Sequence, residues 1–253
     1  MYDFSLHFCA MLSEQTGNFI FRYRGQIPIV FLSFSILLGL IFNRPIVALD
    51  FLKELRQFSL GLIVFGAFYR CFTIGFAAPH TSGRNRNEQV AHQLNTSGAY
   101  SMSQHPLYFA NAFIWIGISI YSNLWVFLIG GILLSWFLIF FLIHRETKFL
   151  AKQFGDTYLQ WKQKTPLFFP NPLKFRFSVQ SFQWVRLFAT EYPTWVSVHA
   201  GLLILALLSD FMVCHVVIWK LLHSVILVSG TTIGFLGRFF KYVVVRRWLN
   251  RPI

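Results

Sequence analysis

The sequence predicts an all-α integral-membrane protein of about six transmembrane helices, folded as a single domain. Three observations lead there. Hydrophobic residues fill 55% of the 253 positions and charged residues only 12%, against about a quarter charged in soluble domains. Apolar runs close to the ~17–25 residues that cross a bilayer recur along the chain. Lys and Arg collect in alternate connections between those runs, as they do in membrane proteins.

The elements follow in order. Residues 27–42 form the first predicted span, slightly short, and residues 58–77 the second. Residues 107–121 and 124–143 form a pair joined by Tyr-Ser-Asn. Residues 196–219 form the fifth span, interrupted by Asp210, and residues 221–237 the sixth, with a polar second half, SGTTIG. These last two also fit a re-entrant or interfacial path. With the N-terminus in the cytoplasm, the cytoplasmic segments hold 17 Lys and Arg and the opposite segments 4, with Arg70 left inside a span. Both termini are therefore expected in the cytoplasm. The polar segments 78–106 and 144–193 then face the cytoplasm together. The first reads as a loop. The second starts as a helix, with Gly155 as the expected stop and three prolines in TPLFFPNP ending helicity.

The net charge of +13 is explained by cytoplasmic loops meeting anionic lipid headgroups, so no nucleic-acid partner is expected. Cys9, Cys71 and Cys214 are too scattered for a disulfide framework or a zinc site. Asp3 lies early and no basic region precedes the first apolar residues, so a cleaved signal peptide is not expected. The tail KYVVVRRWLNRPI reads as a basic, aromatic interfacial anchor. His199, Asp210, His215 and His223 have no metal-ligand spacing, and Asp210 reads as an interior polar contact.

The Tyr-Ser-Asn turn is short enough to force an antiparallel pair. At 1.5 Å per residue the two helices are about 22 and 30 Å long. Their outer ends return to one membrane face. His105, just before the first helix, and Glu146, just after the second, are thereby brought to neighbouring helix ends. Pro106 suits the first helical position and leaves a helix start, a place that favours anions. Tyr100, Tyr108, Tyr158 and Trp161 add aromatic faces. A ligand with both a carboxylate and a positive centre suits such a place. Arg70 inside a span is expected to face an interior or cavity. With Arg84 and Arg86 in TSGRNRN it reads as a clamp for the phosphate or carboxylate of an acceptor. Arg70 also suits pairing within the bundle, and the two loop arginines suit plain interfacial charge.

The run GAYSMSQHPLY, the hairpin and RETKFLAKQFGDTYLQWKQKTPLFFP together resemble the integral-membrane methyltransferases related to isoprenylcysteine carboxyl methyltransferase and phospholipid methyltransferase. The matching positions are Gly98, Tyr100, His105, Pro106, Tyr108, Glu146, Phe154, Gly155, Tyr158, Pro166 and Pro170. Gln104 stands where the family has Arg, and Thr147 where it has a second Glu. The resemblance implies a family-like core at residues 58–172, followed by a C-terminal helix pair and tail at 194–253. It implies S-adenosylmethionine as cofactor, held by Tyr100, Gln104, His105, Pro106, Tyr108, Glu146 and Tyr158 in a cytoplasm-facing pocket. The acceptor enters from the bilayer. A phosphorylated lipid headgroup is the first expectation, with Arg70, Arg84 and Arg86 binding it. Carboxyl methylation of a prenylated cysteine, or another lipophilic acceptor, is the second. No general base is assigned, because an oxygen anion needs none, and no metal is expected. A bacterial inner membrane is the expected location, on compact size and the absence of a retention signal. A transporter or a non-catalytic scaffold is the rival class. A transporter predicts an internal repeat or paired half-helices, which the sequence does not show.

Overall fold

The computed structural model describes residues 15–42, 49–78, 91–178, 180–214 and 219–243. These are overwhelmingly helical, and no strand occurs among them. Helix α1 covers residues 15–23. It is followed by α2 (Ile27–Phe42), α3 (Leu49–Phe76), the short α4 (Ala99–Met102), α5 (Pro106–Tyr121), α6 (Trp125–Lys164), α7 (Trp184–Cys214) and α8 (Leu221–Phe239). Among the described residues, four helices are long and apolar enough to cross a membrane: α3, α6, α7 and α8. Helices α2 and α5 are apolar but have 16 residues each, about 24 Å against a ~30 Å hydrocarbon core. The protein is an all-α integral-membrane protein.

The predicted hairpin is present as α5 and α6. Its turn is buried and internally bonded: Ser122 Oγ donates to Ser119 O at 2.7 Å, and Asn123 takes a positive φ of 55°. Helix α6 differs from expectation. It runs 40 residues without ending at the membrane face, so His144, Arg145 and Glu146 lie on the wall of one long rod. Gly155 does not stop it. Its φ of 52° and ψ of −128° make a kink that glycine tolerates, and helix resumes to Lys164. Thr165 is extended, and the proline-rich segment ends helicity as predicted. Helix α7 likewise starts earlier than the predicted span and continues through Pro193.

Helix α3 lies against α5 at close range. A Cβ on Gly117 would sit 2.8 Å from Ser59 O and 2.6 Å from Ile63 Cγ1, so the absence of a side chain sets this spacing. A shared core joins α3, the hairpin turn, α7 and α8 through Ile63, Tyr121, Phe127, Leu205, Ala206 and Ile226.

Both ends of the bundle are fastened by polar groups. At the turn end, Asp210 of α7 is 2% exposed and is flanked by Arg56 at 3.0 Å, Lys220 at 2.7 Å and His223 at 3.5 Å. This confirms Asp210 as an interior contact and binds α3, α7 and α8 there. At the other end, Arg186 of α7 donates to the carbonyls of Ile74, in the last turn of α3, and of Ala77 and Ala78 just beyond it. The chain after α6 folds back over α4. Gln104 N donates to Pro166 O at 2.8 Å, Asn171 N to Met102 O at 3.0 Å, and Gly98 N to Arg176 O at 2.8 Å. This lacing fixes the short segment that carries residues 98–105.

Candidate active site

A cavity of about 470 Å³ opens at the laced end, lined from the α1–α2 elbow and from α3, α4, α5, α6 and α7. His105 is the residue before α5, and its backbone N donates to Ser103 Oγ at 3.2 Å. Pro106 occupies the first helical turn, which needs no N–H from it. The His105 side chain is 1% exposed. Its Nδ1 lies 3.4 Å from Glu146 Oε2, while the Glu146 side chain keeps 31% exposure. The hairpin therefore does bring these two residues together, from 41 positions apart in sequence. Tyr108 interacts with the same carboxylate and its ring lies 5.7 Å from the imidazole. Tyr100 lines the same wall. Burial first, and then the Glu146 charge, push the Tyr100 phenol above its ordinary value of 10.0, against the opposing effect of Arg186 and Arg70.

Gln104 has a structural task as well as a place on the cavity wall. Its Nε2 donates to Lys162 O at 3.1 Å and Thr165 O at 2.6 Å, satisfying carbonyls at the end of α6. Two buried polar atoms of these lining residues, Gln104 Oε1 and His105 Nε2, have no protein partner. Buried polar atoms are normally paired, and both of these belong to residues on the cavity wall.

Residues 57–157 match the family model of phospholipid methyltransferases. This segment belongs to the integral-membrane methyltransferase family. No curated protein and no solved structure matches the chain. The matched methyltransferase segment contains Arg70, Tyr100, Gln104, His105, Pro106, Tyr108 and Glu146 but stops before Tyr158.

Two expected site residues stand differently from the rest. Tyr158 does not line the cavity. It is fully buried beyond the Gly155 kink, packed on Trp161 at 5.7 Å between ring centroids, where it supports the end of α6. Arg70 does face the cavity, but its charge is committed within the bundle. Its Nε and Nη2 donate to Glu191, the latter at 3.1 Å, and its Nη1 donates to Asn111 Oδ1 at 2.7 Å. Of the two readings of Arg70, pairing inside the bundle is the one observed. Arg84 and Arg86 lie outside the described residues.

Sequence reasoning missed Arg22, Arg24, Asn111, Trp115 and Glu191, all on the cavity wall. Arg22 and Arg24 look like ordinary interfacial charge ahead of a span. Glu191 did carry a signal: it is the lone acid in the first 26 residues of α7. A carboxylate in such surroundings needs a cation, and Arg70 is the lone cation inside a predicted span.

Proposed function

We propose that the protein transfers a methyl group from S-adenosylmethionine to an oxyanion of a lipid acceptor, the first candidate being a phosphorylated headgroup. The observation that carries this reading is the His105–Glu146 pair at 3.4 Å on the wall of a cavity, within a segment that matches a methyltransferase family. The residues fit the cofactor. The volume lies in the ~300–1,000 Å³ range of small-molecule sites. The unpartnered Gln104 Oε1 and His105 Nε2 suit a ligand carrying both donors and acceptors. Glu146 and the Tyr100 and Tyr108 faces suit a cation.

When bound, S-adenosylmethionine supplies an electrophilic methyl group on a sulfonium. The work of the chain is then positioning, which can account for about 7–11 kcal/mol of a barrier. His105 and Gln104 hold the polar end of the ligand. Glu146 favours its positive charge while its other face stays against the imidazole. The lacing of residues 98–104 onto 166–176 keeps those side chains fixed. Leu107, Leu138, Ile139 and Leu142 give the membrane side an apolar wall, which excludes water and admits a lipid. No residue is assigned as a base, because an oxyanion attacks without losing a proton. The basic excess in the segments at this end of the bundle supports a cytoplasmic orientation, the side on which the cofactor is made available.

Calorimetry with S-adenosylhomocysteine on the detergent-purified full chain tests the cofactor. Binding is expected in the wild type and lost in His105→Ala and Glu146→Ala variants that keep their melting temperature. No binding at millimolar ligand defeats the proposal. Labelled methyl transfer into a total lipid extract tests the acceptor. Label confined to protein or neutral lipid removes the phosphorylated headgroup in favour of a prenylated cysteine or another lipophilic acceptor.

A further inference from the structure

The cavity does not end at the His105–Glu146 pair. Its lining follows one face of α5 through Tyr108, Asn111 and Trp115, and returns along α6 through Ser135, Leu138 and Leu142. Asn111 and Trp115 stand six and ten residues beyond His105, about 9 and 15 Å along the helix. The space therefore reaches from the membrane face into the apolar part of the bundle.

Chemistry fixes which way the Asn111 amide faces. Arg70 Nη1 donates to it at 2.7 Å. A guanidinium has only donors, so the amide oxygen meets Arg70 and the amide nitrogen is turned away from it. Arg70 is itself held by two hydrogen bonds to the buried Glu191, which offsets its charge and braces the amide from behind. Asn111 Nδ2 carries two N–H groups, and among the described residues neither donates to the protein. The same holds for the indole N–H of Trp115. Both side chains line the cavity and are only half-buried, and neither nitrogen is sealed in the interior. Residues four apart on a helix lie side by side, so these donors are neighbours on one wall. A donor without an acceptor in apolar surroundings is costly, and a ligand oxygen removes that cost.

We infer that Asn111 Nδ2 and Trp115 Nε1 form an uncharged, donor-only subsite for an oxygen of the lipid acceptor, and that this subsite sets how deep the acceptor sits below the cofactor. The inference deepens the proposed methyl transfer and rests on it. The ligand chemistry is an oxygen that accepts and has no proton to give. Two parts of a phosphorylated glycerolipid offer one: the acyl ester carbonyls and the headgroup. Depth favours the carbonyls. The headgroup oxygen has to meet the methyl group beside His105 and Glu146, and the ester carbonyls of the same molecule lie a few bonds deeper, toward Asn111. Charge favours them too, because Glu191 offsets Arg70 and the subsite itself is neutral. A prenyl chain has no oxygen to place there, so an occupied subsite favours an acyl lipid over a prenylated cysteine.

The test uses the full chain in neutral detergent. Asn111→Leu removes the amide donors without adding charge, and Trp115→Phe removes the indole N–H and keeps a ring. The control is Trp184→Phe, at the exposed start of α7 at the same end and off the cavity wall. Each protein is titrated with dihexanoyl phosphatidic acid, with its dihexyl ether analogue, which has the phosphate but no carbonyls, and with S-adenosylhomocysteine. Binding of the ester lipid should weaken about 3- to 10-fold in Trp115→Phe and about 3- to 30-fold in Asn111→Leu, the worth of one or two neutral hydrogen bonds. Binding of the ether analogue should be unchanged in both, which assigns the subsite to the carbonyls. Equal weakening of both lipids with S-adenosylhomocysteine unchanged assigns it to a headgroup oxygen. Three results overturn the inference: neither lipid weakened in either variant, all three ligands weakened alike, or an equal loss in Trp184→Phe. Should Asn111→Leu fail to fold, Trp115→Phe decides in the same way. A wild type that binds S-adenosylhomocysteine but neither lipid overturns the inference alone. One that binds the lipids but no S-adenosylhomocysteine defeats the methyl-transfer proposal, and the lipid titrations still read the subsite.

Discussion

Replacing Glu191 by alanine is expected to be among the most destabilising single changes in the bundle. The residue is 1% exposed, and it accepts two hydrogen bonds from Arg70, from a helix 121 positions away in sequence. Its loss leaves a guanidinium inside the membrane-spanning region without its counter-charge. Breaking a buried pair from one side costs about 3–5 kcal/mol. Arg70 keeps its 2.7 Å bond to Asn111, and its side chain retains 15% exposure toward the cavity. These two features bring the expectation to about 2–4 kcal/mol. The double variant Arg70→Met, Glu191→Leu removes both charges and fills the space with apolar atoms. It should lie within about 1–2 kcal/mol of wild type, the residual loss coming from an unpaired Asn111. A cycle of wild type, Arg70→Met, Glu191→Leu and the double variant should therefore show a coupling of at least about 1–2 kcal/mol. Reversible unfolding in mixed micelles, followed by far-ultraviolet circular dichroism, measures these four proteins and Glu191→Ala. Additive losses in the double variant, or a Glu191→Ala protein within about 0.5 kcal/mol of wild type, would refute the reasoning.

Two further outcomes are expected. Gln104→Glu places a carboxylate where Nε2 now donates to Lys162 O and Thr165 O; it should lower the melting temperature and weaken S-adenosylhomocysteine binding, whereas Gln104→Arg keeps the donors and should melt close to wild type. The Tyr100 phenol, raised by burial and by Glu146, should stay neutral at about pH 11, where ordinary tyrosines ionise. Tyr100→Phe should therefore leave the tyrosinate absorbance of the folded protein unchanged. Because the folded value is the higher one, the stability tied to this group is intact below pH 10.0 and declines as pH rises past it.

The parts of this fold that were legible in the sequence are those encoded locally. Helix α2 has the boundaries that its apolar run suggests, and α5 and α8 lie within two residues of theirs. The two-sided meeting of His105 and Glu146 follows from a short turn and two helix lengths, so it needs no long-range information. Boundaries failed where solvent exposure changes without a change in helix propensity. Helix α6 leaves the apolar stretch at His144 and simply continues, because the residues beyond it still favour helix. Gly155 shows the limit of a punctuation rule, since a glycine can bend a helix as well as end it. Pairings across the bundle were the least accessible. Arg70 with Glu191, and Arg56 and Lys220 with Asp210, join residues on different helices. Only the scarcity of charge in those helices hints that each must have found its opposite. Arg24 carried no such hint, since arginine beside a span is ordinary.

The fold-back of the chain over α4 has a consequence for how this end of the protein tolerates change. Its rungs are largely main-chain amides and carbonyls, supplemented by the Ser103 hydroxyl to Phe168 O at 2.9 Å and the Ser101 hydroxyl, which accepts from Arg176 N at 2.9 Å. Atoms common to every amino acid do most of the fastening, so these rungs do not depend on side-chain identity, while Phe168 adds packing on Phe109 and Trp136. Proline is the exception: at Asn171 it would delete an amide that the clasp uses, whereas at its present positions, 166, 170 and 172, no such amide is required.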